Sequence, residues 1–252
     1  MSTVAEPRVS KVPEVTLLFW IIKIAATTLG ETGGDAVSMS LNLGYLIATA
    51  IFAALFIAAV GAQIVAKNYH PYIYWTTIIA STTVGTTLAD FATRSLGIGY
   101  AGGSLLLLVL LVASLAVWYR TVGTVSVVSI SSPGVELFYW ATIMFSQTLG
   151  TALGDWTADT AGLGYLGAAA VFGALLAVVA AAYLWTTISR TSLFWVAFVL
   201  TRPLGAVVGD FLDKPIASGG LALSRFSASA VLLTFILACL ILFKHRAASK
   251  DH

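Results

Sequence analysis

Charged side chains are scarce in this sequence, in which Asp, Glu, Lys and Arg together make up 10% of the 252 residues. Soluble domains usually carry about 25% charged residues. Hydrophobic residues make up 59% of the chain, and its mean hydropathy is +0.95. A soluble fold of this length cannot bury so much apolar surface. The composition therefore excludes a soluble globular protein and predicts an integral membrane protein.

Sulfur and imidazole are also scarce. The one cysteine, Cys239, lies in an apolar stretch, which excludes an intramolecular disulfide. The three histidines, His70, His245 and His252, lie outside the long apolar stretches. Cu(I) and Zn²⁺ prefer sulfur and imidazole, whereas Mn²⁺, Mg²⁺ and Ca²⁺ are bound by oxygen alone. A cation site within the apolar stretches is therefore expected to suit hard cations.

One pattern recurs four times along the chain. A tryptophan is followed ten positions later by a glycine and fifteen positions later by an aspartate, with Gly or Ala just before the aspartate. The tryptophans are Trp20, Trp75, Trp140 and Trp195. The glycines are Gly30, Gly85, Gly150 and Gly205, and the aspartates are Asp35, Asp90, Asp155 and Asp210. Four gapless copies of W-x9-G-x3-[GA]-D predict four tandem repeats.

Each repeat contains two apolar stretches of about the 20 residues that cross a bilayer as a helix. The first stretches cover about 15–38, 72–93, 137–158 and 193–212, and the second cover about 45–66, 100–119, 165–188 and 226–243. Small residues at the glycine position and four residues later allow the first helices to approach one another closely. We predict an all-α integral membrane protein with eight transmembrane helices in pseudo-symmetric repeats. The polar Trp/Asp helices are predicted to be central, with the apolar helices peripheral and the tryptophans anchored at the cytoplasmic boundary.

Basic residues indicate the orientation of these helices. Those on the side of the termini are Arg8, Lys11, Lys67, Arg120, Arg190, Lys244, Arg246 and Lys250, and those on the other side are Arg94, Lys214 and Arg225. The positive-inside rule then places both termini in the cytoplasm. The predicted segments are a cytoplasmic N-terminus 1–13, repeats 14–66 and 67–120, a cytoplasmic link 121–136, repeats 137–189 and 190–243, and a cytoplasmic tail 244–252.

Four tandem two-span units, each with a tryptophan, resemble a bacterial family of multi-span membrane proteins built from four repeats of unknown function. The resemblance extends from Trp20 to about Phe243. It implies the eight-helix architecture and a multi-pass position in the bacterial cytoplasmic (inner) membrane. It implies no activity.

The repeated aspartates lie within or at the end of predicted spans. A carboxylate in hydrocarbon costs several kcal/mol, so such groups usually line cavities, pair with cations or titrate. Positions 7, 11 and 15 after each tryptophan share one helix face. That face reads Thr27/Glu31/Asp35, Thr82/Thr86/Asp90, Gln147/Thr151/Asp155 and Arg202/Ala206/Asp210. The alternative is that each aspartate, about 22 Å of helix rise beyond its tryptophan, is solvated separately among the outer headgroups.

The repeats differ one turn away from the aspartate. Repeats 2 and 4 carry Arg94 and Lys214 four residues later, where each can neutralise its aspartate. Repeats 1 and 3 carry second acids instead, Glu31 and Asp159, and are locally uncompensated. Close carboxylates suit a cation-binding centre, here with approximate two-fold symmetry.

The predicted cation-binding residues are Glu31, Asp35, Asp90, Gln147, Asp155, Asp159 and Asp210. The metal ligands among them are Glu31, Asp35, Asp155 and Asp159, and the charge-pairing residues are Arg94, Arg202 and Lys214. Arg202 lies in mid-span, so it needs a carboxylate from a neighbouring repeat, and Pro203 after it removes one helical hydrogen bond. Lys23 is predicted to extend to the cytoplasmic boundary.

These residues predict a secondary transporter, with no covalent cofactor, that exports a hard cation in exchange for protons by alternating access. Mn²⁺ is the first candidate, since "GETGGD" is loosely similar to the E-x-G-D motif of Mn²⁺ and Ca²⁺ exchangers. The alternatives are a transporter of small organic cations with the tryptophans as a cage, and a passive cation channel. An enzyme is not expected, because the polar faces lack histidine and cysteine. The expected partners are the bilayer, the cation, protons and a second copy in a homodimer, but not nucleic acid.

Overall fold

The chain folds into eight α-helices in the computed structural model, which describes residues 10–249. The helices that carry the repeated tryptophan and aspartate are α1 (Leu17–Asp35), α3 (Pro71–Asp90), α5 (Pro133–Asp155) and α7 (Arg190–Asp213). The second helices of the repeats are α2 (Gly44–Val65), α4 (Tyr100–Val122), α6 (Gly164–Trp185) and α8 (Arg225–Leu242). The prediction of an all-α chain with two helices per repeat is confirmed.

Five of these helices, α2, α4, α6, α7 and α8, are long and apolar enough to cross a membrane. The second helices expose large apolar side chains along most of their length, such as Leu55, Leu106 and Val178. Threonines and acids lower the hydropathy of α1, α3 and α5, whose side chains are largely buried. The chain is therefore a multi-pass membrane protein.

A short π-helical turn follows the repeated aspartate in the first three repeats. These turns span Ala36–Ser40, Phe91–Ser95 and Trp156–Thr160, each directly after an α-helix that ends in aspartate. In the fourth repeat, α7 continues as α-helix to Asp213, and it also runs unbroken through Pro203. Because a π turn has more residues than an α turn, it rotates the following side chains away from the face that α-helical spacing predicts.

The first helices of the repeats form a closed ring. Helix α1 packs against α3, α3 against α5, α5 against α7, and α7 against α1. Each second helix packs mainly on the first helix of the next repeat: α2 on α3, α4 on α5, α6 on α7, and α8 on α1. Every repeat therefore supplies the outer cover of its successor, and the last repeat covers the first.

The repeated glycines are the points where the ring helices approach one another. Each faces the residue seven positions after the tryptophan of the next repeat: Gly30 faces Thr82, Gly85 faces Gln147, Gly150 faces Arg202 and Gly205 faces Thr27. A Cβ atom on Gly85 would lie 2.9 Å from the Cβ of Gln147 and 3.1 Å from the backbone nitrogen of Thr148, which is closer than side chains normally approach. These glycines therefore serve close helix packing.

The repeated tryptophans form an aromatic layer at the other end of the ring. Trp75, Trp140 and Trp195 are buried, and Trp20 is half-buried. Trp195 donates a hydrogen bond from Nε1 to the carbonyl of Val125 at 3.0 Å. The predicted anchoring of the tryptophans in the membrane interface is therefore wrong for the three buried rings, which pack inside the protein.

The described parts of the two termini pack against this aromatic end. The Lys11 ammonium lies 2.6 Å from Oε1 of Glu136, and the amide of Ala248 donates to the carbonyl of Val12 at 2.8 Å. The orientation prediction also used Arg8 and Lys250, which lie outside the described residues.

Candidate functional site

The four repeated aspartates converge at one end of the ring. Asp35, Asp90 and Asp155 are the last residues of their α-helices, and Asp210 lies one turn before the end of α7. Their exposed fractions are 0%, 2%, 3% and 3% in chain order. The described structure therefore contradicts the alternative in which each aspartate is solvated separately.

Arg94 joins the aspartates of repeats 2 and 3. Its Nε lies 3.0 Å from Oδ1 of Asp90, the i,i+4 pair that the sequence predicts. Its Nη2 also donates to Oδ2 of Asp155 at 3.2 Å. Among the described residues, Asp155 therefore has no basic partner within its own repeat, as predicted, but the preceding repeat supplies its counter-ion.

Lys214 makes the corresponding connection between repeats 4 and 1. Its Nζ lies 3.0 Å from Oδ1 of Asp210, again the predicted i,i+4 pair, and forms an ion pair with Oδ2 of Asp35. Arg225 at the start of α8 lies 2.6 Å from Oδ2 of Asp213 and 3.8 Å from Oδ2 of Asp35. Asp35 is therefore also compensated, and its counter-ions come from the fourth repeat.

Arg202 occupies the centre of the ring, about two helical turns from the aspartates. Its side chain is fully buried, and Nη2 lies 3.0 Å from Oε2 of Glu31. The same nitrogen donates to the hydroxyl of Thr86 at 2.6 Å and to the hydroxyl of Thr151. Arg202 thus contacts all three other repeats, and the prediction that it pairs with a carboxylate from a neighbouring repeat is confirmed.

The carboxylates that the structure brings closest together come from repeats 1 and 4. Oxygen atoms of Glu31, Asp35 and Asp210 all lie within 4.8 Å of one another. This set differs from the predicted metal ligands in two places. Asp155 is bound to Arg94, and Asp159 is exposed on its π turn. The closest group of acids therefore differs from the predicted quartet, because the π turn exposes Asp159 and the ring closure brings Asp210 to Glu31 and Asp35.

A glycine also allows the acids of α1 and α7 to approach each other, since Gly209 lies directly against Glu31. A Cβ atom at position 209 would lie 2.6 Å from the Cβ of Glu31. The small residue before Asp210 thus lets α7 approach α1 closely enough for the acids of the two helices to meet.

The site contains more acid than base. Five buried carboxylates, Glu31 and the four repeated aspartates, are in ion-pair contact with Arg94, Arg202 and Lys214. The Asp213–Arg225 pair at the edge is balanced and leaves this excess unchanged. In addition, Oδ1 of Asp35 is buried and accepts no hydrogen bond from the described residues. Since buried charge is costly unless it is neutralised, the excess favours the uptake of protons or of a cation.

Two other polar residues lie deeper in the ring. Gln147 is fully buried and donates from Nε2 to the hydroxyl of Ser81 at 3.3 Å, so it belongs to the Arg202 end of the site. Lys23 is fully buried with its Nζ 4.1 Å from the centre of the Phe198 ring. The predicted extension of Lys23 to the membrane boundary is therefore wrong.

The four repeats that build this site are also found by comparison with known families. A family model described as Repeat of Unknown Function (DUF347) matches residues 18–69, 73–124, 138–189 and 193–248. Each matched segment contains one of the four aspartates and most of one ring helix. Comparisons with curated proteins and with solved structures give no significant match. The predicted division into four tandem copies is confirmed.

Proposed function

The chain belongs to the family of the DUF347 repeat, and from the chemistry of its site we propose that it is a secondary transporter that exchanges a hard cation for protons. The observation that carries the proposal is the excess of buried carboxylates over basic groups where the four repeats meet. The best candidate ligands for the cation are Glu31, Asp35 and Asp210, whose carboxylate oxygens lie within 4.8 Å of one another.

In this proposal all eight helices span the bacterial cytoplasmic membrane. The ring helices α1, α3, α5 and α7 form the polar centre, and the second helices face lipid. Both termini are cytoplasmic, so the aromatic layer lies towards the cytoplasm and the carboxylates lie towards the outside. The burial of the ring helices and the exposed apolar side chains of the second helices support the central and lipid-facing positions, and the distribution of basic residues supports the orientation.

The donor atoms support a hard cation. Among the described residues, the carboxylates and basic groups of the site are joined by oxygen donors alone, the hydroxyls of Thr86 and Thr151 beside Arg202 and that of Tyr45 beside Arg94. Carboxylate and hydroxyl oxygens suit Mn²⁺, Mg²⁺ or Ca²⁺ better than Cu(I) or Zn²⁺. We retain Mn²⁺ as the first candidate substrate.

The counter-ions support a coupled mechanism. The Lys214 ammonium lies between the carboxylates of Asp35 and Asp210, where a bound cation would also have to lie. A cation entering there displaces Lys214 and releases protons from the surplus carboxylates. The transported cation and the Lys214 ammonium therefore cannot occupy this position at the same time.

The same contacts join the two halves of the molecule. Repeats 1 and 2 meet repeats 3 and 4 at two interfaces, and Arg94 bridges one of them while Lys214 and Arg202 bridge the other. If the halves rock about the site, these ion pairs are the contacts that must break and form again. Whether the site is occupied then determines from which side of the membrane it can be reached.

No specific observation favours either alternative function, the transporter of organic cations or the passive cation channel. A cage for organic cations needs the tryptophans around the acids, but Trp75, Trp140 and Trp195 pack into the aromatic layer at the other end of the ring. A passive channel needs an open axis, but the Arg202 side chain fills the centre of the ring. An exchange mechanism with a closed centre agrees better with both facts.

Transport by purified protein in proteoliposomes tests the proposal. With an imposed pH gradient, the wild type is expected to move Mn²⁺ together with a counterflow of protons. Asp35→Asn is expected to abolish this flux, whereas Asp159→Asn, the matched change at an exposed aspartate, leaves it intact. Unchanged Mn²⁺, Mg²⁺ and Ca²⁺ flux in a folded Asp35→Asn variant would refute the assignment.

A further inference from the structure

The four-fold ring creates four equivalent grooves, each lined by two neighbouring ring helices and one second helix. Three of these grooves are closed by the chain itself. In the groove of α3, α5 and α2, the Lys11 ammonium donates to the carbonyls of Gln63 and Ile64 and pairs with Glu136. The segment before α1 thus covers this groove.

The next two grooves are closed in different ways. Between α5, α7 and α4, Trp118 is fully buried with its ring 5.8 Å from that of Trp195, and the link after α4 supplies the carbonyl of Val125. Between α1, α3 and α8, the side chains of Ile236 and Leu240 are buried in the core. The segment after α8 adds cover there, since Ala247 pairs with Pro13.

The fourth groove, between α7, α1 and α6, is left open by residues 10–249. It holds a cavity of about 740 Å³, which is within the range of about 300–1,000 Å³ typical of ligand sites. The second half of α6 contributes Leu176, Val179, Ala180 and Tyr183 to its wall. Because α6 and α7 are joined by only residues 186–189, no long link is available at this position to cover the groove.

The dimensions and chemistry of this groove indicate its occupant. Along α7 the lining extends from Arg190 to Thr201, a rise of about 16 Å, which is close to the half-thickness of a hydrocarbon core of about 30 Å. The wall between these ends is almost entirely apolar, with Trp20, Ile24 and Phe194 on its inner side. An acyl chain of one membrane leaflet has this length and polarity.

The mouth of the groove carries a positive charge. The Arg190 guanidinium stacks on the Tyr183 ring, 4.3 Å from its centre, and donates one hydrogen bond to the Tyr183 carbonyl. Arginine has five N–H donors, and this is its one hydrogen bond to the described residues, so most of its donors are left for an anion. A phosphate is the anion that a membrane supplies at the level where the acyl chains begin.

We propose that the groove of α1, α6 and α7 binds one phospholipid, with an acyl chain along the apolar wall and the phosphate on Arg190. The inner end of the groove is Thr201, whose carbonyl accepts a hydrogen bond from the hydroxyl of Thr27 at 3.3 Å and which directly precedes Arg202. The bound acyl chain completes the ring interface that the described part of the polypeptide leaves uncovered. This assignment does not depend on the transported substrate.

Native mass spectrometry of the full-length protein, equilibrated with vesicles of phosphatidylethanolamine and phosphatidylglycerol, tests the proposal. One phospholipid per chain is expected to remain bound. Ala180→Trp fills the groove and is expected to abolish retention, whereas Val178→Trp, on the exposed face of the same helix, is expected to retain the lipid. Loss of one charge-assisted hydrogen bond in Arg190→Gln should lower retention by at least about tenfold.

Three results would overturn the proposal. The first is equal retention of lipid by Ala180→Trp and Val178→Trp. The second is retention of a diacylglycerol with the same chains as tightly as phosphatidylglycerol, because the phosphate would then contribute nothing. The third is a lipid-free dimer that Ala180→Trp dissociates, because a second copy would then cover the groove. A thermal unfolding transition like that of the wild type shows that each variant is folded.

Discussion

Lys214 in the fourth repeat forms an ion pair with Asp35 in the first, 179 residues away in the sequence. The contact closes the ring, because it lies at the interface where the last repeat meets the first. It also places a built-in cation among the acids that we propose as ligands. The predictions below separate this structural role from the binding of an external ion.

Replacing Lys214 with methionine is expected to make the fold depend on added cation. The change leaves Asp35 and Asp210 buried without their shared counter-ion, a loss that costs about 3–5 kcal/mol in comparable buried pairs. An external Mn²⁺ ion can then replace the lost charge. We expect a lower melting temperature without metal and a larger rise on adding Mn²⁺ than in the wild type.

The control for this measurement is Lys67→Met, which removes an exposed lysine that lies away from the site. Its melting temperature and its response to Mn²⁺ should both match those of the wild type. If Lys214→Met gains no extra stabilisation from Mn²⁺, Mg²⁺ or Ca²⁺, the ammonium and the metal do not compete for one position.

The Arg202–Glu31 pair is expected to show strong energetic coupling. Arg202→Met leaves the Glu31 carboxylate buried without its cation, so the free energy of unfolding should fall by about 3–5 kcal/mol. Adding Glu31→Gln removes the stranded charge and should recover part of that loss. A double-mutant cycle on unfolding in detergent is expected to give a coupling energy of about 1–3 kcal/mol. Additive effects would mean that the pair does not stabilise the ring.

Glycine-to-alanine changes should have opposite effects on the ring helices and the second helices. At Gly85 the added methyl meets the backbone of the next ring helix, so Gly85→Ala should lower the free energy of unfolding by about 1–3 kcal/mol. At Gly61 in α2 a Cβ atom meets nothing within 4 Å, and alanine is the better helix former by about 1 kcal/mol. Gly61→Ala should therefore be neutral or stabilising. The same loss at both positions would contradict close packing as the role of Gly85.

The proposed orientation predicts which loops react with a membrane-impermeant maleimide. In a Cys239→Ala background, Ser218→Cys lies in the exposed turn after α7 and should be labelled in intact cells. Lys67→Cys, in the exposed loop between α2 and α3, should be labelled only after the membrane is permeabilised. The reverse pattern would invert the topology and place the carboxylates towards the cytoplasm.

The local features of the site could be predicted from the sequence, but the contacts between repeats could not. Lys214 pairs with Asp210 because residues four apart meet on an α-helix, and Arg94 makes the corresponding pair with Asp90 from the π turn that follows it. The pairs of the same cations with Asp155 and Asp35 depend on which helices are neighbours in the ring, and periodicity within one helix carries no such information. The sequence signal that could have identified them is the small residue before each aspartate, where the next helix approaches.

Asp159 shows a second limit of sequence reasoning. Its spacing of four residues from Asp155 places both acids on one face only if the α-helix continues. The chain instead enters the π turn Trp156–Thr160, and the side chain of Asp159 is exposed. Arg94 has the same spacing in the second repeat and still reaches Asp90, because its side chain is long enough to span the altered geometry.

Because each second helix covers the following repeat and the last covers the first, packing depends on the cyclic order of the repeats but not on which repeat begins the chain. Helix α8 packs on α1 as α2 packs on α3, and the backbone amide of Ala248 donates a hydrogen bond to the carbonyl of Val12. New ends could therefore be opened in the link before α5, and a short linker could join the segments beside Val12 and Ala248. Such a circular permutant, which starts with the third repeat, should keep all four ring interfaces and fold as the original chain does.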